Sequence, residues 1–176
     1  MLLNIAEILS VPSMAKDYPV SFDFDSLKVR GQSYPVSHKE PFILHVSKTD
    51  KDLSIKGETT VSLLIPCDRC LDDVENTFQL SIDYILQSNT EESDGIEDAD
   101  EFNFIDGCML DVDRLIKDEL VVALPTKNLC REDCKGLCPV CGTNLNHGSC
   151  NCDKKVLDPR MAAIKDIFRE FNDKNS

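Results

Sequence analysis

Eight of the nine cysteines in this 176-residue chain fall in close-set pairs, and thiolates at such spacings bind metal. Cys67 and Cys70 lie in PCDRC; Cys130, Cys134, Cys138, Cys141, Cys150 and Cys152 crowd into LCREDCKGLCPVCGTNLNHGSCNC about sixty residues further on. Four thiolates around one zinc make the common closed structural site, so eight predict two zinc ions. CPVCG at 138–142 is the strongest local signal: two thiolates three apart can share a metal while backbone N–H groups point at the sulfurs. Gly142 suits the left-handed turn that closes such a knuckle, and Pro139 pre-sets its geometry. The nearest further ligands are Cys150 and Cys152, beyond the short polar loop TNLNHGS. One site is therefore predicted from Cys138, Cys141, Cys150 and Cys152, and a second from Cys67, Cys70, Cys130 and Cys134, which would tie the cysteine tail to the preceding domain. A competing arrangement shares one zinc among the six tail cysteines and leaves Cys67 and Cys70 outside it; in another variant His147 replaces a cysteine.

Other chemistries fit less well. A dithiol redox catalyst places its CxxC at a helix N-terminus, where the dipole lowers the thiol pKa. CDRC is followed instead by the strand-like LDDVENTF, and Asp68, Asp72 and Asp73 would raise that pKa. An iron–sulfur cluster uses the same ligands, but knuckle geometry and even pairing favour zinc. Cys108 reads as a small buried apolar residue or an unpaired thiol. No nucleophile elbow, phosphate loop or HExxH is present, and all-cysteine zinc sites are closed, so no catalytic residue is predicted and the chain reads as a non-enzyme.

The elements that must hold these cysteines follow from periodicity. Apolar or small residues alternate through Leu53–Ile65 and again through Val74–Leu86, the period of half-buried strands. The simplest reading is an antiparallel hairpin with CDRC at its tip. Residues 41–48 add a shorter strand with Phe42, Leu44 and Val46 inward; residues 19–24 and 2–9 are weaker candidates. Residues 88–107 read as a mobile acidic loop. A helix is predicted over 112–124, capped by Asp111 and ended by Pro125, with Val112, Leu115, Ile116, Leu120 and Ala123 on one stripe. A last helix over 158–176 starts at Asp158-Pro159 and carries Met161, Ile164, Ile167, Phe168 and Phe171 on its apolar face. The fold class is α+β: an antiparallel sheet covered by one or two helices (1–126), a cysteine-rich zinc-knuckle module (127–157) and the terminal helix.

Net charge is −13, unevenly spread. Residues 1–126 hold 10 Lys/Arg against 25 Asp/Glu, whereas 127–176 hold 9 against 7. Bare nucleic acid is repelled by most of such a surface, and a basic protein partner suits it. The tail offers Lys127, Arg131, Lys135, Lys154, Lys155, Arg160, Lys165 and Arg169 to RNA, but no aromatic residue interleaves with them before Phe168. No apolar run is long enough to span a bilayer. The N-terminal stretch lacks a basic region and is interrupted by Asn4 and Glu7, so a cytoplasmic location with reduced thiols is expected.

The order of these features resembles the YceD family, the large ribosomal RNA subunit accumulation proteins. The resemblance rests on IPCDRCLDDVENTF, an acidic loop, DVDRLIKDELVVALPTKNLC and KGLCPVCGTNLNHGSCNC, and is strongest between 60 and 152. The family's C-x-R-C hairpin and its helix ending in LP match Cys67, Arg69, Cys70, Leu124 and Pro125 here. Some members lack the extended cysteine tail. The resemblance implies a non-enzymatic bacterial factor needed for 23S rRNA accumulation and large-subunit biogenesis. It also implies a basic ribosomal protein or a pre-ribosomal large-subunit particle as partner. No catalytic residues carry over. An RNA-binding zinc-knuckle protein and a thiol-based redox or metal sensor are the alternatives.

Overall fold

A computed structural model describes residues 1–49, 52–87 and 104–152. The chain divides into two units, Met1–Cys67 with Asp72–Cys130, and Asp68–Leu71 with Arg131–Ser176. The expected helix over 158–176 and most of the acidic loop lie outside the described residues.

The first unit is built on two long antiparallel strands, β6 (Asp52–Pro66) and β7 (Asp73–Gln87), paired in register from Asp52↔Gln87 to Pro66↔Asp73. They are the predicted hairpin, and their alternation is realised: Leu53, Ile55, Val61, Leu63, Ile65, Leu80, Ile82 and Leu86 are buried. One full edge of β6 is taken by β7. Its other edge is shared, with β5 (Phe42–Lys48) along residues 53–56 and β4 (Gln32–Lys39) along 61–63. β2 (Ala15–Val20) extends the sheet beyond β5, and β3 (Ser26–Val29) extends it beyond β4. The two-residue turn between β3 and β4 has positive φ at both Arg30 (49°) and Gly31 (84°), the primed turn that matches strand twist. This hairpin was not anticipated from periodicity, because Ser33, Pro35 and Ser37 dilute its alternation.

A second, three-stranded sheet joins β1 (Leu2–Asn4), β9 (Met109–Asp111) and β8 (Ile105–Asp106). Residues 105–107, read as the end of the acidic loop, thus contribute a strand and the turn at Gly107. Between β1 and β2 runs a short helix, α1 (Ala6–Ser10). The longer helix α2 (Val112–Ala123) starts where expected: the Asp111 side chain accepts from the N–H groups of Asp113 and Arg114 at 3.1 and 3.2 Å. Leu124 is already extended, as a residue before proline prefers. Val112, Leu115, Ile116 and Leu120 are buried in the core of this unit, whereas Ala123, expected on the same stripe, is exposed. Tyr84 of β7 donates its hydroxyl to Glu119 of α2 at 2.5 Å. The architecture is a mainly antiparallel sheet with two helices among the described residues. No helix among them is long and apolar enough to cross a membrane.

Candidate metal centres

The β6–β7 ribbon ends in the CDRC loop. The N–H of Cys67 donates to the Asp72 carbonyl at 2.8 Å, closing a tight loop over residues 68–71, and both Cys67 and Cys70 are buried. Leu71, directly after the second cysteine, has φ 62°. In the first unit the buried amide of Asn128 donates to the carbonyls of Ile65 (2.8 Å) and Pro66 (3.3 Å), satisfying acceptors at the end of β6 just before Cys67.

The second unit contains the CPVCG knuckle. Cys138 N–H donates to the Thr143 carbonyl at 2.8 Å and Gly142 N–H to the Cys138 carbonyl at 2.9 Å. Leu137 and Asn144 pair as an isolated antiparallel bridge, and Gly142 has φ 72°. The thiol of Cys138 is held below its ordinary pKa by the N–H groups of Cys141 and Val140, the amide-to-sulfur arrangement expected of a knuckle. The Cys141 thiol is brought down to about 6, first by the Thr143 hydroxyl 3.1 Å away and then by the Thr143 N–H. Cys152 is pushed up to about 12 by its hydrogen bond to Cys141, by burial and by the charge of Cys141. The CxxC pair thus favours the thiolate form, while Cys150 and Cys152 are held toward the thiol. A dication removes that conflict, because it favours the thiolate form of every ligand.

Two groups of four sulfurs meet in the structure. Those of Cys67, Cys70, Cys130 and Cys134 lie within 4.8 Å of one another, and so do those of Cys138, Cys141, Cys150 and Cys152. An ideal tetrahedral zinc–thiolate site, with Zn–S near 2.3 Å, separates its sulfurs by about 3.8 Å. Both groups fit a metal ion with little contraction. Each therefore can hold one, with the four-and-four division read from sequence. The competing division, with six tail cysteines around one ion, is not the observed grouping. His147 is exposed and belongs to neither group among the described residues. Cys108 is also outside both. Of its two readings the buried one is corrected and the unpaired thiol remains: Cys108 is free and exposed at the β8–β9 turn, where its carbonyl accepts from the Ile5 N–H at 2.9 Å.

Side chains around the sulfurs supply features that ligand spacing did not reveal. The Arg69 guanidinium donates to the carbonyls of Glu132 (3.1 Å) and Cys134 (2.9 Å), while its own carbonyl accepts from the Leu137 N–H at 3.0 Å. Gly136, at φ 72°, passes so close that an added Cβ would lie 2.9 Å from that carbonyl oxygen. Asn146 donates to the sulfur of Cys134 at 3.2 Å. Asn144 accepts the Asn146 N–H on its side-chain oxygen at 3.0 Å, an Asx turn inside the loop read only as polar and turn-rich.

Known proteins resemble this chain over more than half of its length. The family model "Large ribosomal RNA subunit accumulation protein YceD" matches residues 55–168, a span that includes all eight clustered cysteines. The uncharacterized protein Rv2926c of Mycobacterium tuberculosis is 25% identical over 130 residues, 74% of this chain and 62% of the relative. The uncharacterized protein YlbN of Bacillus subtilis is 29% identical over 120 residues, 68% of this chain and 66% of the relative. The uncharacterized protein ML1660 of Mycobacterium leprae is 31% identical over 108 residues, 58% of this chain and 47% of the relative. The match thus spans less than two thirds of these relatives' own length. No solved structure matches the chain.

Proposed function

The chain belongs to the YceD family, and from that premise we propose that it is a non-enzymatic bacterial factor for 23S rRNA accumulation and large ribosomal subunit biogenesis. In this reading two zinc ions, one per cysteine quartet, are structural, and an acidic surface receives a basic partner in the cytoplasm. The partner is a basic ribosomal protein, free or on a pre-ribosomal large-subunit particle.

The observation that carries the reading is the pair of all-cysteine quartets inside the span matched by the family model. Four thiolates complete a tetrahedral zinc and leave no position for water or substrate, so such a metal organises chain and does not activate a nucleophile. The thiolates also bind iron, and metal analysis distinguishes the two. Surface charge supports the partner class. Outward positions of β6 and β7 carry Glu58, Asp73, Glu75 and Asp83, with Lys56 as the cation among them. Acidic surfaces of this kind steer basic proteins by long-range attraction and lose that advantage in salt. Direct RNA contact by the tail has less support, since Arg131 is engaged with Asn146 at 2.9 Å and Asp133 at 3.5 Å.

Two measurements test this. Elemental mass spectrometry on protein purified without an affinity metal should find two zinc ions per chain; iron, or no metal with oxidised thiols, overturns the structural-zinc reading. Depleting the protein in its host should lower 23S rRNA and the large-subunit peak on sucrose gradients, and crosslinking should capture a basic ribosomal protein in a salt-sensitive manner. Unchanged subunit profiles overturn the biogenesis role.

A further inference from the structure

We propose that Asn146 is a positioning residue through which the quartet Cys138/Cys141/Cys150/Cys152 controls metal binding at the quartet Cys67/Cys70/Cys130/Cys134. The inference rests on the metal-binding reading of both quartets and goes beyond it, because it makes their loading interdependent.

Asn146 sits in the loop whose two ends carry ligands of the second quartet, Cys141 before it and Cys150 after it. Its side chain turns the other way, onto a ligand of the first. Nδ2 donates to the sulfur of Cys134 at 3.2 Å. Oδ1 accepts from the backbone N–H of Lys135 and from the guanidinium of Arg131, each at 2.9 Å. The amide orientation follows from chemistry: two obligate donors face one atom, which must be the oxygen, and the atom facing sulfur must be the nitrogen. One amide thus grips the 131–135 segment at three points and places an N–H on the Cys134 sulfur. A thiolate ligand with such a donor is oriented and its negative charge is stabilised, which is the role of outer-shell partners at metal sites.

The loop that presents Asn146 is held by backbone hydrogen bonds and flanked at both ends by ligands of the second quartet. Leu145 N–H bonds to the Gly136 carbonyl at 2.9 Å, and the N–H groups of His147 and Gly148 turn back onto the Asn144 carbonyl. No hydrophobic residue from 142 to 152 is buried. With no buried apolar residue of its own, such a loop gains further order from a metal joining Cys138 and Cys141 to Cys150 and Cys152. Metal at the second quartet then sets Asn146, and Asn146 sets Cys134. Reciprocity requires that metal at the first quartet favour loading of the second.

The test is a chelator-competition zinc titration of the reduced full-length protein, repeated with cobalt to read the sulfur-to-metal charge-transfer band. Asn146→Ala should weaken the Cys67/Cys70/Cys130/Cys134 quartet about 10- to 100-fold, the usual cost of removing an outer-shell partner. The other quartet should lose only the part of this factor that is coupling, and only when the first is loaded, as reciprocity requires. Asn146→Asp retains the acceptor for Lys135 and Arg131 but sets a carboxylate against the sulfur; it should shift the charge-transfer band of the first quartet with the β-sheet circular dichroism unchanged. Emptying the second quartet by Cys150→Ser with Cys152→Ser should weaken the first in the Asn146 protein and add nothing in the Asn146→Ala protein. Equal affinities in all these variants, or a band that does not move, overturn the coupling while leaving two metal sites standing. A wild-type protein that binds no metal at either quartet overturns both readings.

Discussion

Leu71 and Gly142 hold the same place in two separate cysteine loops. Each directly follows the second cysteine of a CxxC, and each has a left-handed backbone, φ 62° for Leu71 and 72° for Gly142. The hydrogen bond that closes each loop also corresponds: Cys67 N–H to the Asp72 carbonyl and Cys138 N–H to the Thr143 carbonyl, both 2.8 Å. The same backbone device is thus made once with glycine and once with a leucine that is 64% exposed. A Cβ in this region costs roughly 1–2 kcal/mol. Gly142→Ala has no steric neighbour within 4 Å, so it should lose about 1 kcal/mol from the backbone alone. Leu71→Gly should be neutral to stabilising, since glycine's larger unfolded-state entropy offsets part of the relief. Denaturant unfolding of the metal-loaded protein reads both, and a destabilising Leu71→Gly would show that the exposed leucine makes a contact of its own.

Gly136 should be the least replaceable glycine of the tail. It combines φ 72° with a 2.9 Å approach to the Arg69 carbonyl oxygen, and a backbone atom cannot swing aside as a flexible side chain does. Gly136→Ala should therefore cost roughly 2–3 kcal/mol, more than Gly142→Ala, because steric displacement adds to left-handed strain. The same unfolding experiment orders the two variants, and equal losses would mean that the Arg69 carbonyl yields freely.

The long strands, α2 and the turn of the CPVCG knuckle were legible because each depends on local rules. Strict alternation marks Leu53–Ile65, Asp111 caps a helix that Pro125 ends, and Gly142 marks the left-handed turn after Cys141. The β3–β4 hairpin was not legible, since its signal is a pair of positive φ angles at Arg30 and Gly31 and only the glycine advertises one. Nor were Arg69, Asn128 and Asn146, polar residues whose roles come from carbonyls and sulfurs brought to them by tertiary structure. For Cys108 the sequence left a buried apolar residue and an unpaired thiol both open, and the two-residue turn after Asp106 places it at the surface as the latter.

Loss of ligands should separate the two metals. Cys138→Ser or Cys141→Ser removes a thiolate from one quartet and should lower zinc from two ions per chain to one. The β signal of the 1–67 and 72–130 unit should persist, because its core contains none of these residues. Metal binding at such a site is coupled to folding, so the tail's amide protection should fall with the zinc. Cys67→Ser should remove the other ion. Two zinc ions retained in Cys67→Ser would refute the assignment of Cys67 to a metal.

Alkaline pH should test the link between β7 and α2. Burial, then the hydrogen bond to Glu119, raises the Tyr84 phenol well above its ordinary value near 10. Below that value the folded and unfolded chains both carry the proton, and the bond contributes fully. Above it the unfolded chain releases the proton first while the folded protein keeps it, so stability falls as pH rises toward the folded-state pKa. Tyr84→Phe removes both the bond and this linkage. At pH 7 it should cost about 1 kcal/mol, discounted from a fully buried charge-assisted bond because the pair is partly exposed. Between pH 10 and 11 the gap between wild type and Tyr84→Phe should narrow, as only the wild type carries this contribution to lose. Unfolding midpoints measured across pH 8–11 give both curves, and a gap that stays constant would show that Tyr84 does not hold its proton against Glu119.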